Sequence, residues 1–427
     1  MRILGFILLG LAPSLFGLEL LVRPSVAAVH EKVTVEIKGL HPNQFVTCSA
    51  SMKDEKGRVW KSKARFRSDK RGVVDLSKRP SIQGTYEGVE PMGLFWSMQL
   101  DDDEQDRSLF WHPSLEPMSI EIVAEPEGGE KEIKAKLIRQ IVSKEVKKVP
   151  IREEGLVGTL FLPEGKGPFP SVIVLGGIEG GMPPDSYVVQ LASQGYAALG
   201  LAYTGEPGVA LEFADIPLEY FQTAINWLKL RKEIHPKRIA LLGTSLGGVV
   251  SLLVASHTSD IKAVIALGGG GELFQPFEVD KSKPLFTYKN RPLAFLPYEA
   301  PYGLVRSLFT HSAEKMEEAA IPVEKINGPI LMMAGLDDHI FGSAILSNIA
   351  YNRLKAKHFK YPYHLIVYNG VGHLNALGSL PYCPTTINAI GIKPGEAVCN
   401  LGGNPQDSAK AQIDTWRQLL EFLRRSF

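Results

Sequence analysis

Cysteine is scarce: Cys48, Cys383 and Cys399 are the only three in 427 residues. That leaves room for at most one disulfide, between Cys383 and Cys399, which share a Gly/Pro-rich stretch. Two free thiols fit that pattern equally well. No group of His, Cys and acidic residues has metal-ligand spacing, so no metal is expected. Charge of one sign is also lacking. With 47 basic and 46 acidic residues the net charge is +1, which gives no electrostatic argument for nucleic acid. The chain has no internal repeat and no low-complexity tract. Its longest apolar run, in residues 3–12, is about ten residues, against the about 20 of a membrane span.

That run follows Met1-Arg2 and ends at Pro13, with small residues beyond. One charge, a short apolar stretch, a breaker and small residues form the pattern of an export signal over 1–17, and cytoplasmic residence is the alternative. From 18 to about 124 the chain reads as all-β. Residues 33–37, 45–51 and 119–123 carry strand chemistry, and the turns His41-Pro42-Asn43, Asp54-Glu55-Lys56-Gly57 and Asp69-Lys70-Arg71-Gly72 separate such runs. Short strands at this spacing predict an immunoglobulin-like β-sandwich. The polar run Glu125-Pro126-Glu127-Gly128-Gly129-Glu130-Lys131 reads as a linker or long turn near the boundary. This divides the chain into a sandwich with linker over 18–140 and a second domain over 141–427. In the second domain, apolar strands at 171–175, 196–203, 238–242, 264–267, 330–333 and 365–368 alternate with helical spacing at 218–230 and 413–423. A parallel sheet covered on both faces is the fold this predicts.

The densest chemistry lies at Gly243-Thr244-Ser245-Leu246-Gly247-Gly248, after a buried strand and before a helix. Gly-x-Ser-x-Gly in that setting is a nucleophile elbow: a serine held on a sharp turn, with small neighbours where strand and helix cross. The Leu246 N–H, at the start of the helix, is a candidate oxyanion donor. A serine hydroxyl needs a base, and the base needs an orienting carboxylate. The chain order Ser, Asp, His is met by Asp337 or Asp338, with Asp338 favoured, and then by His373 in Gly370-Val371-Gly372-His373. Asp337 would instead cap the following helix. His339 adjoins the acid and His364 opens a strand, so His373 is the expected base. The second oxyanion donor belongs to the loop Gly176-Gly177-Ile178-Glu179-Gly180-Gly181, at Ile178 or Gly177. That loop has neither a dinucleotide fingerprint nor a P-loop ending, so no cofactor is expected. Residues 286–298, with Tyr288, Arg291 and Phe295, are candidates for a lid or pocket wall, or for a surface loop.

These segments resemble a known family, the acyl-CoA thioesterases grouped with bile acid-CoA:amino acid N-acyltransferase. The resemblance is carried by Asp54-Glu55-Lys56-Gly57 and Gly88-Val89-Glu90-Pro91-Met92-Gly93-Leu94-Phe95-Trp96 in the first domain. In the second it runs through Gly165-Lys166-Gly167-Pro168-Phe169-Pro170, Ala202-Tyr203, Leu218-Glu219-Tyr220-Phe221, the elbow, Gly335-Leu336-Asp337-Asp338-His339 and Gly372-His373. Pro381-Tyr382-Cys383-Pro384 and Gly402-Gly403-Asn404-Pro405 complete it. It implies an α/β-hydrolase domain behind a β-sandwich, and hydrolysis of acyl-CoA to free acid and CoA. Ser245, Asp338 and His373 match the nucleophile, acid and base. The acyltransferase branch carries cysteine at the nucleophile position, so serine favours water as acceptor. The chain departs from the animal members at Leu246, where lysine is common, and its end, Arg425-Ser426-Phe427, is no peroxisomal address. An exported carboxylesterase and an amino acid N-acyltransferase are the alternative functions. The partner expected in every case is a small acyl ester or thioester.

Overall fold

Strands such as Leu156–Pro163 and Ile330–Gly335 are buried along their whole length, which requires cover on both faces of their sheet. The computed structural model describes residues 17–101, 110, 112–129, 131–142, 145–275, 283–297, 308–373, 380–385, 388–389 and 399–427. The segment 1–16 with its export-type pattern lies outside them. The large sheet has eight strands: β1 (Val146–Glu153), β2 (Leu156–Pro163), β3 (Phe169–Leu175), β4 (Ala197–Ala202), β5 (Ile234–Thr244), β6 (Ile261–Leu267), β7 (Ile330–Gly335) and β8 (Tyr363–Tyr368). Their order across the sheet is β1-β2-β4-β3-β5-β6-β7-β8. β2 is antiparallel to both β1 and β4, and the remaining pairings are parallel. This is the α/β-hydrolase arrangement.

The two-residue period of the strands sorts side chains between two cores. Val172 and Val174 of β3 join helices Asp185–Ser193 and Pro405–Ser426 on one face. Ile173 and Leu175 join helices Leu218–Lys229, Leu246–Ser256 and Ser343–Ala356 on the other. After β3 the chain turns back to β4, and after β5 it moves on to β6. The carboxyl ends of the neighbouring strands β3 and β5 therefore form the switch point where such sheets bind ligands.

Before β1 the chain is all-β. One sheet holds Glu19–Arg23, Thr34–Lys38 and Val74–Asp75. The other is built around Phe45–Lys53, Val59–Arg67, Met118–Pro126 and Ile133–Gln140. Alternate side chains point inward, as Trp60, Ser62, Ala64 and Phe66 do in Val59–Arg67. Of the two readings of Glu125 to Lys131, linker and long turn, the strand pairing supports the turn. Glu125 and Pro126 end one strand, and the run turns into its antiparallel neighbour Ile133–Gln140. The chain leaves the sandwich only after Gln140. Cys48 and Cys383 are buried free thiols, and the Cys399 side chain is outside the described residues.

The string Gly88 to Trp96 explains its own composition. It ends in the buried helical turn Gly93–Trp96, where a Cβ on Gly93 would lie 2.3 Å from the Tyr86 ring. The Trp96 carbonyl accepts from the Thr385 N–H at 3.2 Å, and Glu90 meets Gln406 at 2.8 Å and Lys410 at 3.3 Å. On the same side Arg139 of the sandwich lies over the Tyr382 ring. The sandwich is thus seated on the last helix and on 380–385. Among the described residues no helix is long and apolar enough to cross a membrane.

Candidate active site

β5 ends at Thr244 and the helix begins at Leu246, so Ser245 alone makes the turn. Its φ of 54° and ψ of −123° lie where non-glycine residues pay about 1–3 kcal/mol of strain. The surroundings impose that conformation. The Ser245 N–H donates to the Leu267 carbonyl at 2.7 Å, and its own carbonyl accepts from the Gly248 N–H at 2.9 Å. The motif glycines are steric requirements. A Cβ on Gly243 would stand 1.9 Å from the Gly247 oxygen, and one on Gly247 would stand 2.4 Å from the oxygens of Leu175 and Gly176.

His373 Nε2 lies 2.8 Å from Ser245 Oγ, and His373 Nδ1 lies 2.7 Å from Asp338 Oδ2. All three residues are buried, with exposures of 8% for Ser245, 3% for His373 and 8% for Asp338. The histidine is presented by a loop pinned to a second loop. Its N–H donates to the Leu401 carbonyl at 2.7 Å, and the Asn404 N–H donates to the Gly370 carbonyl at 2.8 Å. A Cβ on Gly372 would meet the Gly402 oxygen at 2.1 Å, so only glycine permits this approach.

Asp338, not Asp337, meets the histidine. Asp337 is exposed. Asp338 Oδ1 accepts from the N–H groups of Ile340 at 2.9 Å and Phe341 at 2.8 Å, and Oδ2 from that of Ser343 at 3.3 Å. The capping-type role expected of Asp337 therefore also falls to Asp338. Burial pushes the Asp338 carboxyl up, but the adjacent His373 and the Phe341 N–H outweigh it and hold it at about 2. An ionised carboxylate here fixes Nδ1–H, which leaves Nε2 as the acceptor facing the serine hydroxyl. His339 and His364 are both exposed and outside this chain of bonds.

The loop after β3 lies against the elbow: a Cβ on Gly177 would be 3.2 Å from Ser245 Cβ. Of the two donors expected there, Gly177 is already committed, since its N–H donates to Glu179 Oε1 at 2.8 Å. Glu179 carried no signal in the sequence beyond being the one charged residue among glycines. Phe341 was also missed. Its ring lies 6.2 Å from that of His373 and 6.2 Å from that of Phe274, making an apolar wall beside the base. The lid reading of 286–298 is corrected for its first part. Phe286–Tyr288 pairs with Ile216–Pro217 and Arg291–Pro292, and the Tyr288 ring sits on His257, at the far end of the elbow helix. Eleven helical residues lie between Ser245 and His257, a rise of about 18 Å. Tyr298 lies outside the described residues.

A family model described as "BAAT / Acyl-CoA thioester hydrolase C terminal" matches residues 216–427. A second, "Acyl-CoA thioester hydrolase/BAAT N-terminal region", matches residues 30–153. The chain is 33% identical over 403 residues to the peroxisomal succinyl-coenzyme A thioesterase of Mus musculus, covering 92% of each chain. It is 33% identical over 413 residues to acyl-coenzyme A thioesterase 6 of Mus musculus, covering 92% of this chain and 93% of the relative. Among solved structures, an esterase of Pyrobaculum calidifontis aligns with a TM-score of 0.43 at 14% identity, covering 66% of this chain and 86% of that one. The two family models and the near full-length relatives place the chain in the acyl-CoA thioester hydrolase/BAAT family.

Proposed function

We propose that this protein is a serine thioesterase that cleaves acyl-CoA to free acid and CoA through an acyl-enzyme. The observation that carries this reading is the unbroken line of hydrogen bonds from Ser245 Oγ through His373 to Asp338, seated at the strained elbow. Ser245 Oγ attacks the thioester carbonyl as His373 Nε2 takes its proton. The tetrahedral oxyanion is met by the N–H of Leu246, which as the first residue of its helix has no intrahelical acceptor, and by that of Ile178. Collapse breaks the C–S bond, and His373 returns the proton to the leaving CoA sulfur. Water then attacks the Ser245 ester, gives its proton to His373, and the free acid leaves as Ser245 Oγ is reprotonated. Asp338 stabilises the imidazolium in both halves.

Serine as the nucleophile supports water over an amino acid as acceptor. The test is CoA release from a panel of acyl-CoAs, succinyl-CoA included, with and without glycine or taurine. Hydrolysis is expected to be unchanged by added amino acids and abolished by Ser245→Ala. Amide product in place of free acid overturns it. We also propose two domains, 18–140 and 141–427. The pattern of residues 1–17 supports export, and favours an ester or thioester outside the cytoplasm as the alternative substrate. A fusion of this segment to an export reporter decides between the compartments: retention in the cytoplasm removes the exported reading.

A further inference from the structure

The loop that faces Ser245 contains a peptide unit held at both ends. The Gly176 carbonyl accepts from the Tyr203 hydroxyl at 2.9 Å. The N–H of the same unit, on Gly177, donates to Glu179 Oε1 at 2.8 Å. The turn closes with the Gly180 N–H donating to the Gly177 carbonyl at 3.3 Å. The second Glu179 oxygen also packs here: a Cβ on Gly177 would lie 2.6 Å from it and 3.2 Å from Ser245 Cβ. Carboxylate, loop backbone and the Ser245 side chain therefore converge on one spot. Tyr203 is buried, with its ring 6.0 Å from that of Phe213 and 5.6 Å from that of Phe221, so packing fixes where its hydroxyl points. Glu179 is exposed, yet its side chain folds back onto the amide two residues earlier.

We infer that Glu179 and Tyr203 are positioning residues that fix the Gly176–Gly177 peptide plane, so that the N–H of Ile178 is the one left to receive the oxyanion. This rests on the acyl-enzyme reading of Ser245. With Gly177 spent on Glu179, the loop has a defined donor, and neither residue needs to touch substrate. Glu179 works through its acceptor oxygen. Its charge is a disadvantage, because a carboxylate beside a developing oxyanion is repulsive. A neutral acceptor of the same shape should therefore do the same job.

The experiment compares Glu179→Ala, Glu179→Gln, Tyr203→Phe and the double variant Glu179→Ala/Tyr203→Phe in the full chain. It reads kcat and KM for one acyl-CoA, and inhibition by a trifluoromethyl ketone analogue whose adduct with serine carries the oxyanion. Glu179→Ala is expected to lower kcat roughly tenfold to a hundredfold, less than loss of a whole donor, with KM little changed. Affinity for the ketone falls in parallel. Glu179→Gln restores most of what Glu179→Ala loses. Because both side chains hold one peptide, the double variant loses no more than the worse single one. Glu179 is exposed, so its variants keep the test open if Tyr203→Phe fails to fold. The inference is overturned if Glu179→Ala keeps the parental kcat, if Glu179→Gln is as impaired as Glu179→Ala, or if the loss lies in KM alone. Labelling with a fluorophosphonate separates the two levels. A labelled Ser245 with an unaffected Glu179→Ala refutes only the positioning role. An unlabelled parent, with turnover intact in Ser245→Ala, refutes the acyl-enzyme beneath it.

Discussion

In the proposed mechanism three side chains carry the chemistry, and their roles separate on substitution. Ser245→Ala and His373→Ala should each lower thioester turnover by roughly 10⁴-fold or more. Asp338→Asn should cost roughly 10⁴-fold in kcat with the site otherwise intact, because the amide favours the wrong imidazole tautomer. Steady-state CoA release checks both. Asp338 also has a pH signature. Its carboxyl is held at about 2 against an ordinary 3.8. A group that ionises more readily when folded adds stability above its ordinary value, and that contribution is lost as pH falls from about 3.8 towards about 2. Urea titrations across this window should show a flatter pH dependence for Asp338→Asn than for the parent. The residue types and chain order of the site were legible because the elbow has a local signature and the fold imposes Ser, Asp, His. Glu179 was not legible, since its role depends on a side chain folding back onto a loop whose path no local pattern gives.

Elements hold these side chains in place, and two of them make testable demands. At the elbow, Gly243→Ala would place a Cβ 1.9 Å from the Gly247 oxygen, against the backbone of the Gly247–Gly248 peptide. That should cost about 3 kcal/mol or prevent folding, read from denaturant unfolding. At the start of the last helix, Asn404 accepts from the Asp407 N–H at 2.9 Å, while its own N–H holds the Gly370 carbonyl. Asn404→Ala should cost about 1 kcal/mol for the lost cap. It should also lower kcat, because the loop it holds carries His373. Central strands of the large sheet such as Ile330–Gly335 were readable from the sequence because burial on both faces leaves them almost wholly apolar. Val59–Arg67 and Ile133–Gln140 were harder to see. Their outward faces carry Lys61, Lys63, Arg65, Lys134 and Lys136, which dilute the apolar alternation. The polar run Glu125 to Lys131 left linker and long turn both open, because a hairpin turn uses the same residues as a linker.

The sandwich and the large sheet meet along one continuous core that runs from Trp60 and Phe66 through Leu94 to Leu419 and Leu423. The two parts should therefore unfold together. Tryptophan fluorescence and far-ultraviolet circular dichroism are expected to report coincident transitions. Trp96→Ala, at the seam, should cost about 3–5 kcal/mol. The sequence implied both domains through composition and resemblance. Their docking was not legible, because it joins Glu90 and Trp96 to partners about 300 residues away. If an acyl group passes through Ser245, intact-protein mass spectrometry can catch it there. The protein is quenched in acid during turnover of an acyl-CoA, weighed, and digested to locate any adduct. A mass gain of one acyl group is expected on the peptide containing Ser245, absent from Ser245→Ala. An unmodified Ser245 under continuing turnover, with CoA release undiminished in Ser245→Ala, would contradict it.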